Sequence, residues 1–150
     1  MLTSDALRLV HEVHAAFTTP PPRRGRLIVD GADPCEALEI QRALRGRRWT
    51  AVPRDVPRRV RGALSWMTPE GRRHYLPLWL VAAFGDEDVS DQATFQAWHI
   101  VDDARSRAAQ FPLYSPEERH AIAACLRHFA TTAGPVYREQ ALGAAPLWDP

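Results

Sequence analysis

The chain has 150 residues, of which 45% are hydrophobic and 25% charged, and its formal net charge is +1. This length fits one domain, and the composition is that of an ordinary globular protein. The longest nearly apolar run, residues 75 to 84, is short of the about 20 residues that a membrane span needs, and the N-terminus lacks the pattern of a signal peptide.

The first predicted helix spans about residues 4 to 17, where apolar side chains recur at helical spacing. A loop rich in proline and arginine follows over residues 18–26. The segment LIVD (27–30) predicts a short extended piece for which the sequence offers no obvious pairing partner. Three later helix starts share one pattern, a capping residue followed by proline at the first helical position: DPCE (33–36), TPEG (68–71) and SPEE (115–118). In DPCE and SPEE a glutamate also stands where it can reach back to the cap.

The remaining boundaries complete a helical prediction. The helix that begins at DPCE should end near Gly46, a further helix should begin near Ser90, and the one after SPEE should run from 116 to about 132. A short segment around 135–142 should add a turn or two, with 143–150 as a flexible tail.

The helix that follows TPEG is apolar almost all round from Tyr75 to Phe84 and contains Pro77, a pattern typical of a buried, kinked central helix. The sequence therefore predicts a single mainly α-helical domain over residues 1–150, a compact bundle of about five to six helices.

Charge is distributed unevenly along the chain. All nineteen basic residues are arginine. Residues 42 to 73 contain ten arginines against two acids, a balance of +8, whereas residues 86 to 103 contain six acids and no arginine. Such a split indicates two oppositely charged surfaces, or two segments that pair with each other.

Three stretches carry a family resemblance: PCEALEIQRALRGRRWTAVP, ALSWMTPEGRRHYLPLWL and LYSPEERHAIAACLRHF. In order and spacing they resemble a bacterial small-protein family of unknown function with a Thr-Pro-Glu…Tyr-Leu-Pro core motif. His74, where a second aromatic residue is common, and Gly71 depart from its pattern. The resemblance brings no catalytic residues. It implies a small bacterial protein similar to the immunity and accessory proteins encoded beside secreted toxins.

No catalytic or metal-binding pattern is complete. His11 and His14 lack the zincin spacing, and Glu117 with His120 forms only half of a di-iron helix motif. His99, with Asp102 and Asp103 one helical turn later, has no convincing nucleophile beside it; Ser65 lacks the nucleophile-elbow pattern. Cys125 falls on an apolar stripe, and with Cys35 it forms no disulfide framework, so we expect reduced thiols and a cytoplasmic location. We predict no cofactor, no metal and no enzyme activity.

These observations favour a cytoplasmic protein that binds another protein, most specifically an immunity protein that neutralises a bacterial toxin. Two segments are candidates for the contact, with a slight preference for the acidic one: Asp86, Glu87, Asp88 and Asp91, or Arg47, Arg48, Arg58, Arg59 and Arg61. One alternative is a nucleic-acid-binding module that uses the segment Arg42–Arg73, with Trp49 stacking on a base. A second alternative is a small hydrolase-like enzyme centred on His99. We expect no membrane partner.

Overall fold

The computed structural model describes residues 2–60, 62–84, 108–132 and 135–150. Helices dominate these residues, which confirms the mainly α-helical prediction. Five helices are long: α1 (Ser4–Ala16), α2 (Pro34–Leu44), α5 (Pro69–Phe84), α6 (Pro116–Thr132) and α7 (Pro135–Trp148). Two are single turns, α3 (Val56–Arg59) and α4 (Ala63–Trp66), and two 3-10 segments span Trp49–Ala51 and Ala108–Leu113. The helix predicted to begin near Ser90 lies outside the described residues.

The predicted helix starts are confirmed by their caps. Asp33 Oδ1 accepts hydrogen bonds from the amides of Cys35 and Glu36 at 2.9 and 3.1 Å. At α6 the cap is reciprocal, because Ser115 Oγ accepts from the Glu118 amide at 3.1 Å and Glu118 Oε2 accepts from the Ser115 amide at 3.0 Å. α2 ends at Leu44, and Gly46 follows with φ 71°, the left-handed conformation that suits glycine beyond a helix end.

α5 is the central helix, and its middle is buried on all sides from His74 to Ala82. The helix is continuous through Pro77, so its neighbours tolerate the missing backbone donor; the predicted kink stays a prediction. α1 packs on both α5 and α6, and α6 packs on α7. These helices share one hydrophobic core.

The extended segment at residues 27–30 pairs with a stretch that the sequence pattern did not indicate. Ile28 forms an antiparallel bridge with Met67. The Val29 amide donates to the Trp66 carbonyl and the Thr68 amide donates to the Leu27 carbonyl, both at 2.9 Å. The partner is only the short connection between α4 and α5, and so brief a stretch has no strand pattern of its own.

The predicted flexible tail is wrong for most of its length, because α7 continues to Trp148. Its described buried residues are Ala141, Ala144, Ala145 and Trp148, and the Trp148 ring meets Tyr114 edge-on at 5.0 Å. These positions have helical spacing, but alanine contrasts little with the intervening residues and gives a weak periodic signal.

Candidate functional site

The start of α5 places a buried arginine between three elements. Arg72 is 1% exposed, and its guanidinium donates to the Leu64 carbonyl from Nε at 3.1 Å and from Nη2 at 2.7 Å. It also donates to the Met67 carbonyl at 3.3 Å and to Gln110 Oε1 at 3.0 Å. Arg72 is therefore part of the scaffold and adds nothing to a basic surface, although its segment suggested one.

The next residue, Arg73, joins α5 to the start of α6. Its Nε and Nη2 donate to the two carboxylate oxygens of Glu118 at 2.9 and 3.1 Å. Glu118 is 2% exposed, and the same carboxylate closes the cap with Ser115. A bidentate pair of this kind fixes geometry as well as charge.

Tyr75 holds the corner that follows α2. Its buried hydroxyl lies 2.6 Å from the Leu44 carbonyl and 2.7 Å from the Arg47 carbonyl, so one proton is shared between two acceptors. Burial raises the pKa of Tyr75 to about 12, partly offset by the charge of Arg47. The hydroxyl thus stays protonated and keeps donating.

His74 and Trp49 hold the same corner from its other end. The Trp49 amide donates to His74 Nε2 at 3.1 Å, and the indole Nε1 donates to the Phe17 carbonyl at 3.0 Å. Burial lowers the pKa of His74, and the nearby carbonyls of Thr19 and Arg47 only partly offset this. The ring is therefore neutral, with Nε2 as an acceptor.

The burial of Trp49 contradicts one step of the nucleic-acid interpretation. Its side chain is 4% exposed, and His14 lies against it with ring centroids 4.6 Å apart. A ring enclosed in this way cannot stack on a base, so Trp49 anchors the corner in the core.

The candidate arginines that the structure describes are all exposed. Arg47 and Arg48 lie on the corner between α2 and the first 3-10 segment, and Arg58 and Arg59 lie on α3. The first 3-10 segment and α3 both pack against α5. Arg59 Nε is 3.0 Å from Asp55 Oδ2, an exposed pair that contributes little stability. We call these four residues the arginine surface; chemically, such guanidinium groups suit carboxylates and phosphates.

The other candidate positions lie outside the described residues. They are the acidic group Asp86, Glu87, Asp88 and Asp91, the fifth arginine, Arg61, and His99 with Asp102 and Asp103.

The remaining chemical candidates have ordinary surroundings. Cys125 is fully buried, which raises the pKa of its thiol, and it behaves as the small hydrophobe that its position predicted. Glu117 and His120 are exposed on α6. Among the described residues no three histidine, cysteine or acidic side chains come together as metal ligands.

Sequence reasoning missed the supporting roles of His74 and Tyr75. The available signal was the run Arg72–Tyr75, four consecutive residues with polar groups at the start of an otherwise apolar helix. Successive helical residues point about 100° apart, so each of the four meets a different neighbour. A run of polar residues at the start of a buried helix therefore predicts hydrogen bonds to neighbouring elements on several sides of that helix.

No helix in the described ranges is long and apolar enough to cross a membrane. No family model, curated protein or solved structure matches the chain. The resemblance carried by the Thr-Pro-Glu…Tyr-Leu-Pro motif therefore stays a prediction. In the structure, Tyr75 of this motif donates hydrogen bonds to the backbone of the arginine-bearing corner.

Proposed function

We propose that this protein acts by binding another protein, and that its arginine surface contacts an acidic patch on that partner. One observation carries the proposal. The corner that bears Arg47 and Arg48 is held by four hydrogen bonds that involve Tyr75, His74 and Trp49, three of them buried and one partly buried, while both arginine side chains remain exposed. A rigid backbone beneath charged side chains reduces the entropy lost on binding, which is how preorganised surfaces gain affinity.

The resemblance to toxin-associated proteins supports the most specific form of this proposal, an immunity protein that neutralises a bacterial toxin. The toxin would then present carboxylates to Arg47 and Arg48, and binding would block its working surface sterically. The acidic segment favoured from the sequence lies outside the described residues, so the proposal depends on the arginines alone. Bidentate guanidinium–carboxylate pairs supply register, and the opposite charges accelerate association.

The test is affinity capture from an extract of the native organism treated with nuclease, followed by mass spectrometry and a binding titration with the captured partner. The double variant Arg47→Glu/Arg48→Glu reverses two charges on the corner. The control, Arg8→Glu/Arg138→Glu, reverses two exposed charges on α1 and α7. We expect one stoichiometric partner, an affinity at least about tenfold weaker for the corner variant, and little change for the control.

Equal affinity in the parent and in both variants would exclude Arg47 and Arg48 as the contact and would overturn the proposal that the anchored corner binds the partner. Capture of nucleic acid alone, lost on nuclease treatment and weakened by the corner variant, would replace the protein partner with a nucleic-acid phosphate backbone.

A further inference from the structure

A cleft of about 360 Å³ lies between the proline-rich loop, the extended segment at residues 27–28 and the end of α2. Tyr75 lies at its buried side, and three arginines line it: Arg23 and Arg24 from the loop, and Arg45 from the end of α2. The volume falls within the range of small-molecule sites.

The charge of this cleft is one-sided. No acidic side chain is among the described residues that line it. Arg23, Arg24 and Arg45 are exposed, and within the described ranges none of them forms an ion pair with a carboxylate. Among the described residues, no carboxylate neutralises the positive potential that these three arginines concentrate in the cleft.

The framework of the cleft is fixed. Arg23 and Arg24 lie in a turn closed by the Arg26 amide, which donates to the Arg23 carbonyl at 2.9 Å, and Gly25 in that turn has φ 81°. On the opposite side the Arg45 amide donates to the Gln41 carbonyl at 3.0 Å, and the Tyr75 hydroxyl holds the Leu44 carbonyl. A helix C-terminus disfavours an anion, but here the Gln41 and Leu44 carbonyls are engaged by these donors, which reduces that effect.

We propose that this cleft binds a small organic phosphate. A phosphate group offers several oxygens in a tetrahedral arrangement, which three guanidinium groups can contact from different sides, whereas a planar carboxylate offers only two. Pro22 and Ile28 are half-buried in the same lining and give the organic part of the ligand an apolar wall. The site uses different side chains from the arginine surface and does not rest on the proposed protein partner.

The test is isothermal titration calorimetry of the full chain at low ionic strength with three probes: ADP, inorganic pyrophosphate and adenosine. The site variants are Arg23→Gln/Arg24→Gln and Arg45→Gln, and Arg47→Gln/Arg48→Gln is the matched control, because it removes two exposed arginines that do not line the cleft. Thermal unfolding of each variant checks that the fold is kept. We expect saturable binding of ADP at one site, at least about tenfold weaker in either site variant, and no binding of adenosine.

Saturable binding of ADP that persists in both site variants would overturn the assignment, and so would the absence of saturable binding by both ADP and pyrophosphate. If pyrophosphate binds as tightly as ADP, the cleft binds phosphate, but the proposal that its apolar residues contact the organic part of the ligand is overturned. Equal loss in the Arg47→Gln/Arg48→Gln control would show attraction by overall charge and would also overturn the site. Because the two sets of arginines are separate, failure here leaves the protein-binding proposal intact, and the reverse also holds.

Discussion

Arg72 and Arg48 belong to the same basic stretch of sequence, yet they have opposite surroundings. Arg72 is buried, and its guanidinium donates hydrogen bonds to the Leu64 carbonyl of α4 and to the Gln110 side chain. Arg48 is exposed, and the backbone of its corner is fixed by the hydrogen bond from the Trp49 amide to His74. A count of arginines treats them as equal, whereas their contacts separate the residues that hold the structure from those able to meet a partner.

The division follows the helix that carries each residue. Arg72 lies on the buried part of α5, so its charge must find partners within the chain, because an unpaired buried charge is strongly unfavourable. The corner and α3 pack on α5 from outside, and their arginines can remain in solvent. The comparison thus predicts that substitutions in the anchor change stability, whereas substitutions on the exposed corner change only binding.

The largest expected effect is that of Arg72→Met, which keeps an unbranched side chain but removes every donor. The Leu64 and Met67 carbonyls then lose a buried partner, and we expect the free energy of unfolding to fall by about 3 kcal/mol. Urea denaturation measures this change. Arg48→Met is the control, and as an exposed substitution it should alter stability by less than about 0.5 kcal/mol. Similar losses in the two variants would remove the distinction between anchor and surface.

A smaller effect is expected at Gly71, a position the sequence showed only as a departure from the motif. A Cβ there would lie 2.8 Å from the Leu27 carbonyl oxygen, which already accepts the Thr68 amide and has little freedom to move. Gly71→Ala should therefore lower the free energy of unfolding by about 1.5 kcal/mol.

Gly143→Ala is the matched control for Gly71→Ala, since Gly143 lies in α7 and a Cβ there meets nothing within 4 Å. Thermal denaturation should show the opposite sign, a gain of about 0.5 to 1 kcal/mol from the improved helix propensity. If Gly71→Ala stabilises the protein as Gly143→Ala does, the Leu27 carbonyl does not restrict the space beside position 71.

The sequence predicted the helices well because their signals are local. Proline after a capping residue marked α2, α5 and α6, and the apolar run from Tyr75 marked the buried helix. The bridge between Ile28 and Met67 was missed because it joins residues 39 positions apart through a single pair, and local pattern carries no information on such a contact.

The candidate site was less predictable for a physical reason. Whether an arginine is exposed depends on which elements surround it, and Arg72 and Arg48 look alike in sequence. The cleft was not predicted either, because Arg23 and Arg45 come from a loop and a helix end that only the fold brings together. Runs of charge in the sequence therefore predicted that basic surfaces exist, but not which arginines form them.

The smallest expected effect concerns His74, which connects the two regions because its ring accepts the Trp49 amide beside Arg48. Burial lowers the pKa of His74 from 6.5, so the unfolded chain takes up this proton first as the pH falls. The contribution to stability is complete above about pH 6.5 and is lost as the pH falls below it, with a slope of at most about 1.4 kcal/mol per pH unit for one proton.

Urea denaturation at several pH values should show a shallower acid slope for His74→Gln, which removes the titrating ring and keeps an acceptor. His11→Gln is the control, because it removes an exposed histidine on α1, and its acid slope should stay close to that of the parent. An unchanged slope in His74→Gln would show that protonation of this ring does not loosen the corner, and the rigidity invoked for the arginine surface would then have to come from Tyr75 and the Trp49 indole alone.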